Sequence, residues 1–269
     1  MTLCNTFKRL SFETWDTIQR GRSVNYQMKE ETLTDYNMLE LKLRHSSQIR
    51  TRVFTKPEEG INGADWEWWF KGNSNKWIGF RIQAKILNIQ SEEFEHLHYQ
   101  TRSTGVYQSD KLINNALGQL IPRIPLYCLF LQTDNNSLLN KWNCRTIGQI
   151  KDLYGCSLTS AFTIRNLRTT NSKHLSQLEN HIEPWHCLVC CSGFGRSDFI
   201  TNIESYALNN FNLNDNNLEN TGREIPESFI TKNPPDYVLQ LLENEKNDNL
   251  KRPDEDLSGI TIILEDSKK

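Results

Sequence analysis

The sequence predicts a mixed α/β fold, a central sheet of parallel and antiparallel strands flanked by helices. Three observations carry that prediction. Residues 63–85 hold two aromatic-rich runs, Asp65-Trp66-Glu67-Trp68-Trp69-Phe70 and Trp77-Ile78-Gly79-Phe80-Arg81-Ile82-Gln83-Ala84-Lys85, joined by a polar Gly/Asn turn, the pattern of a β-hairpin. Residues 124–131 are continuously apolar, as in a strand covered on both faces. A helical pattern lies between them, and strand, helix, strand in that order calls for a crossover unit.

Taken in order, residues 11–19 place Phe12, Trp15 and Ile18 at helical spacing, and Arg20-Gly21-Arg22-Ser23 breaks the pattern. Residues 29–43 predict a second helix, with Leu33, Tyr36, Leu39 or Glu40, and Leu43 three to four apart as its apolar stripe. Glu31, Thr34, Asp35 and Met38 share a neighbouring stripe, so Glu31 and Asp35 face one side together. Residues 50–55 form a first strand and 56–60 a turn into the hairpin. A helix over 110–120 ends before Pro122, with Gln108 and Asp110 at its start as caps or phosphate contacts. A further helix over 157–168 and a strand over 185–191 extend the core. Residues 201–250 are rich in Asn and read as short helices and loops, and residues 259–264 return as a strand.

Composition bounds the function. With 269 residues the chain can bury a real core. Hydrophobic residues at 37% and charged residues at 24% exclude a disordered protein. No apolar run approaches the roughly 18 residues of a membrane span, and the first residues lack a secretory core, so the expected location is the cytoplasm, without a membrane partner. Seven cysteines do not suggest a small secreted framework, and reduced thiols are the default. His186, Cys187 and Cys190, with Cys144, Cys156 and His181 as remote partners, offer zinc ligands, against the simpler reading of buried structural cysteines. His96 and His98 read as surface or half-buried polar residues.

The net charge of −2 advertises no nucleic acid globally. Residues 1–125 carry 17 Lys and Arg against 14 Asp and Glu. Their local basic groups able to meet phosphate are Arg44, Arg50, Arg52, Lys56, Lys71, Lys76 and Arg81. There is no P-loop and no serine-hydrolase elbow.

The hairpin carries the chemistry. Alternation puts Asp65 with Glu67, and Gln83 with Lys85, on one face each. Oxygen ligands for Mg²⁺ and a cation beside the attacking water are what metal-assisted phosphodiester hydrolysis requires. Asp65 offers a carboxylate, Gln83 a neutral oxygen and Lys85 the cation. Glu67 is a further ligand or a solvent-facing hairpin residue.

Asp65, followed 18 residues later by Gln83-Ala84-Lys85 on the next strand, resembles the restriction-endonuclease-like PD-(D/E)xK superfamily, in the QxK variant of Mrr-type nucleases. Ala64 stands in place of the family's Pro, and Gln83 in place of its second acid. The resemblance implies a restriction-endonuclease-like core with a four-stranded mixed sheet, Mg²⁺-dependent cleavage of DNA with Mn²⁺ as a substitute, and a role against foreign DNA. It also implies a Glu on the preceding helix, for which Glu31 is the match. The expected ligands are therefore Asp65, Gln83, Glu31 and Glu67, and the catalytic set Asp65, Gln83, Lys85 and Glu31.

Residues 1–200 would form the nuclease-like domain and 201–269 an acidic, Asn-rich extension packed on it, able to engage a regulatory or sensor protein. A homodimer suits double-strand cutting, because each site cuts one strand. The alternative is an inactive nuclease-fold module that binds nucleic acid or a protein partner.

Overall fold

The computed structural model of the chain describes residues 1–54, 65–101, 104–141, 147–190, 198–213, 225–245, 253–254 and 257–265. Seven strands, β1 (Ile49–Val53), β2 (Asp65–Lys71), β3 (Trp77–Ile86), β4 (Ile124–Phe130), β5 (Cys156–Ser160), β6 (Glu183–Pro184) and β7 (Leu257–Leu264), form one sheet in the order β1-β7-β2-β3-β4-β5-β6. The pairs β2–β7 and β3–β4 are parallel, and the other neighbours antiparallel. The sheet is thus mixed, as the sequence predicts, with seven strands where the resemblance implies four.

Among the described residues eight α-helices accompany it: α1 (Leu3–Ser23), α2 (Glu30–Arg44), α3 (Gln108–Leu117), α4 (Ala161–Arg168), α5 (Leu175–Leu178), α6 (His186–Cys190), α7 (Phe199–Asn210) and α8 (Asp236–Glu243). α3 is the crossover that lets β3 and β4 run parallel. Period-2 alternation sorts the hairpin's aromatics. Trp66, Trp68 and Phe70 join Phe7 and Leu10 of α1 and Leu33, Met38 and Leu41 of α2 in the main core. Trp69 and Trp77 pack instead with Ile260 and Ile262 of β7 and Val238 and Leu241 of α8.

Several elements depart from the sequence reading. α1 begins eight residues earlier than predicted and runs through Gly21, because the chain folds back there: Tyr26 N donates to Gly21 O at 2.8 Å, and a Cβ at Gly21 would lie 2.5 Å from Tyr26 O. The phase of α2 is rotated. It buries Leu33, Asn37, Met38 and Leu41 and leaves Tyr36, Leu39 and Leu43 exposed.

Residues 156–160 are strand where the predicted helix was to begin, so that helix starts only at Ala161, and 186–190 are helix where a strand was expected. The short apolar stretch 186–190 does not distinguish the two by pattern alone. The predicted turn at 56–60 lies outside the described residues. The strand at the C-terminal end is no appendage: β7 is internal, hydrogen-bonded to both β1 and β2.

Candidate functional site

The polar face of β3 has two ends of different character. Glu67 pairs with Arg81 across the hairpin and Trp69 with Gly79, so Arg81, Gln83 and Lys85 follow one another on the same face. At the closed end Glu67, fully buried, contacts Arg81 Nη1 and Arg123 Nε through Oε1, at 3.2 Å each. Its Oε2 accepts from Tyr237 OH at 2.7 Å and Trp69 Nε1 at 3.0 Å. Arg81 also donates to both Asp254 oxygens, at 2.7 and 2.9 Å. Glu67 is therefore enclosed by two guanidinium groups, a phenol and an indole, and does not face solvent. Burial, with the Glu67 charge beside it, pushes the Tyr237 hydroxyl far up, which keeps it a donor.

At the open end Lys85 is 5% exposed, and its Nζ lies 3.5 Å from Glu30 Oε1. Gln83 is 1% exposed, with Nε2 directed to Ala84 O at 3.3 Å. The β2–β3 pairing starts at Trp66–Ile82, and on the other side of β2 the register with β7 shifts between Asp65 and Trp66. The Asp65 side chain lies outside the described residues.

Glu30 and Glu31 enter from the first turn of α2. Glu30, Thr34, Asn37 and Leu41 recur at helical spacing, the same phase that buries Asn37 and Leu41. That phase aims Glu30 inward and leaves Glu31 exposed. Burial raises the Glu30 carboxyl above the usual carboxylate range, and Lys85 opposes the rise.

A cleft of about 660 Å³ opens over this pair, lined by Lys29, Glu30, Glu31, Lys85, His96, Tyr99 and Gln108 among others. Its walls are stitched together: Ile89 N donates to Gln27 Oε1 at 3.0 Å, Asn88 Nδ2 to Glu95 Oε1 at 2.7 Å, and Gln108 N to Tyr99 O at 2.9 Å. Neither Gln108 nor Asp110 caps α3. Its N-cap is Tyr107 without a side-chain bond, and Asp110 holds Arg168 at 2.7 Å.

Among the described residues no three His, Cys, Asp or Glu converge on a point fit for a metal ion, and the Asp65 carboxylate is not one of those described. The donors near Lys85 are mostly oxygen, from Glu30, Glu31 and the Gln83 carboxamide, with the His96 imidazole also in the cleft lining, a set whose carboxylate and carboxamide oxygens suit Mg²⁺ or Ca²⁺. Among the described residues the alternative zinc ligands are not assembled. Cys190 is joined to Cys4 by a disulfide, correcting the expectation of reduced thiols there. Cys187 Sγ lies 3.7 Å from His186 Nε2, and Cys156 packs against Thr14 and Asn37. Cys144 lies outside the described residues.

The chain belongs to the DUF6615 family. That family, described as one of unknown function, matches residues 3–269. Comparison with curated proteins and with solved structures finds no match. The DUF6615 match takes in β7, as it must if the unit shared by the family includes the strand between β1 and β2. Among the described residues of this DUF6615 chain, no helix is long and apolar enough to cross a membrane.

Glu30 and Tyr99 escaped the sequence reading, and His96 was read there only as a surface or half-buried polar residue. Glu30 was legible in the phase of Asn37 and Leu41, had the polar Asn37 been counted as an inward position. His96 and Tyr99 carry no local signal, because the irregular segment after β3 brings them to Lys85. His98, two residues on, instead bonds Ser172 O at 2.9 Å, and burial lowers its pKa.

Proposed function

We propose that this chain is a Mg²⁺-dependent DNA endonuclease of the restriction-endonuclease-like kind, acting in the cytoplasm against phage or plasmid DNA. The observation that supports this most is the placement of Lys85. A lysine on an internal strand, 5% exposed, is costly to desolvate and is not needed for packing. This one opens into a polar cleft, follows Gln83 on one face, and meets a carboxylate delivered by the preceding helix.

In this reading Asp65, Gln83 and Glu31 hold the metal, with Mn²⁺ able to replace Mg²⁺, and the bound ion supplies Lewis-acid polarisation of the phosphoryl oxygen. Lys85 orients the attacking water and offsets the charge that develops on the phosphate. Glu30 fixes the Lys85 ammonium. Glu67 has no part in this chemistry, since its oxygens are engaged by the Arg81, Arg123, Tyr237 and Trp69 network.

A module that binds without cutting is the second reading, favoured by the neutral Gln83 where an acid would hold the ion more firmly. Incubation of the chain with supercoiled plasmid in Mg²⁺, Mn²⁺ or EDTA separates the two. Metal-dependent nicking or linearisation, lost in Asp65→Ala and Lys85→Ala while both stay folded, is expected. Activity retained in both variants overturns the assignment, and no cleavage with any metal selects the binding module.

A further inference from the structure

We infer that the substrate of this cleft is an unpaired strand of nucleic acid, taken one or two nucleotides at a time, and that Tyr99 and His96 are the surfaces on which its bases stack. The inference rests on the nuclease reading for the chemistry at Lys85, and on the cleft's own shape and lining for the substrate.

The first observation is size. A cavity of about 660 Å³ is in the range of pockets that enclose a small ligand, roughly 300–1,000 Å³, and is far from a channel for an intact duplex. The second is depth. Lys85 and Glu30 present side chains only 6% and 19% exposed, so a phosphodiester must descend to them. A stacked, paired strand cannot do so without extruding a nucleotide, whereas an unpaired one can.

The third observation is charge. Duplex binding draws on many phosphate contacts by Lys and Arg, but several basic groups elsewhere on the helix and hairpin that carry the site are committed to acidic partners. Arg44 holds Glu13 and Glu40, Lys76 holds Asp198, and Arg81 is buried against Glu67 and Asp254. Among the described lining residues Lys29 and Lys85 stand with Glu30, Glu31 and Glu95, a mixed set rather than a basic track. What the walls do offer is two ring faces, Tyr99, half-buried and anchored through its carbonyl to α3, and exposed His96, beside the apolar Met28 and Ile86. Aromatic faces bind unpaired bases of any sequence.

The test is fluorescence anisotropy of the full chain with fluorescein-labelled twelve-residue probes of single-stranded DNA, single-stranded RNA and duplex DNA. Ca²⁺ stands in for the catalytic ion, and each probe is then incubated in Mg²⁺ and run on a gel. One or both single strands should bind more tightly than the duplex, the tighter of the two naming the sugar. Tyr99→Ala should lose about tenfold in that affinity, Tyr99→Phe should retain it, and the exposed-site variant His96→Ala should lose a smaller factor. A duplex bound as tightly as either single strand, no binding of any probe, or wild-type affinity in both Tyr99→Ala and His96→Ala overturns the inference. Single-strand binding that depends on Tyr99 without cleavage in Mg²⁺ leaves the inference standing and removes the nuclease reading alone.

Discussion

Replacing Glu67 by alanine would strip two buried guanidinium groups of their common carboxylate. Arg81 and Arg123 are 1% and 4% exposed. Arg81 keeps Asp254 as a second partner at 2.7 Å. Among the described residues Arg123 keeps the Tyr237 hydroxyl and its approach to the Trp69 and Tyr237 rings at 5.6 and 5.9 Å. Removing one member of a buried ion pair costs roughly 3–5 kcal/mol, because the surviving charge is left desolvated. In a chain of this size that corresponds to a fall in Tm on the order of 10 °C. Glu67→Gln keeps acceptor and shape while losing charge, and should cost less, about 1–3 kcal/mol. Urea unfolding followed by tryptophan fluorescence measures both, since Trp69 donates directly to Glu67. Glu67→Ala within about 1 kcal/mol of wild type would refute the structural role. A variant that unfolds normally yet loses Mg²⁺ affinity would restore Glu67 as a ligand.

Three other outcomes are expected. Cys4→Ser, or reduction of the wild-type chain, removes a crosslink between residues 186 apart in sequence and should cost about 2–4 kcal/mol. Denaturant curves with and without reductant should therefore coincide for the variant and differ for the wild type. Gly155→Ala would place a Cβ 2.1 Å from Ser11 O and 2.8 Å from Trp15 N on α1; overpacking of this kind costs roughly 1–3 kcal/mol, read as a lower urea midpoint. Asp198 caps α7 through Thr201 N at 3.1 Å and meets Lys76 at 2.7 Å. Although burial opposes it, hydrogen bonds to Lys76 and Thr201 lower its carboxyl pKa. The stability it adds is thus present above the ordinary carboxylate pKa and lost as pH falls through the depressed one. Asp198→Ala should cost about 1 kcal/mol at pH 7, a gap that closes on acid titration.

Much of the sheet was legible in the chain itself. The hairpin could be read because Trp66, Trp68 and Phe70 alternate with Glu67 and Trp69, and a period of two has one structural meaning. The strand at 124–130 was legible from its continuous apolar run, and all seven of its residues are buried; the helix between was legible from its spacing. The phase of α2 was not legible, since Tyr36, Leu39 and Leu43 make as good an apolar stripe as Leu33, Met38 and Leu41. Only the surface offered by β2 and β3 decides which stripe is covered, and with it whether Glu30 or Glu31 meets Lys85.

The sequence by itself determined the mixed α/β class, the hairpin and the face shared by Gln83 and Lys85, because strand alternation is local and survives any tertiary arrangement. Tertiary structure alone decided that β7 enters between β1 and β2, that Glu67 is neutralised by Arg123 and Tyr237 from distant segments, and that Cys4 meets Cys190. It also decided that His96 and Tyr99 wall the cleft. Each of these joins groups far apart along the chain, and such contacts depend on which surfaces remain to be buried once the local elements have formed.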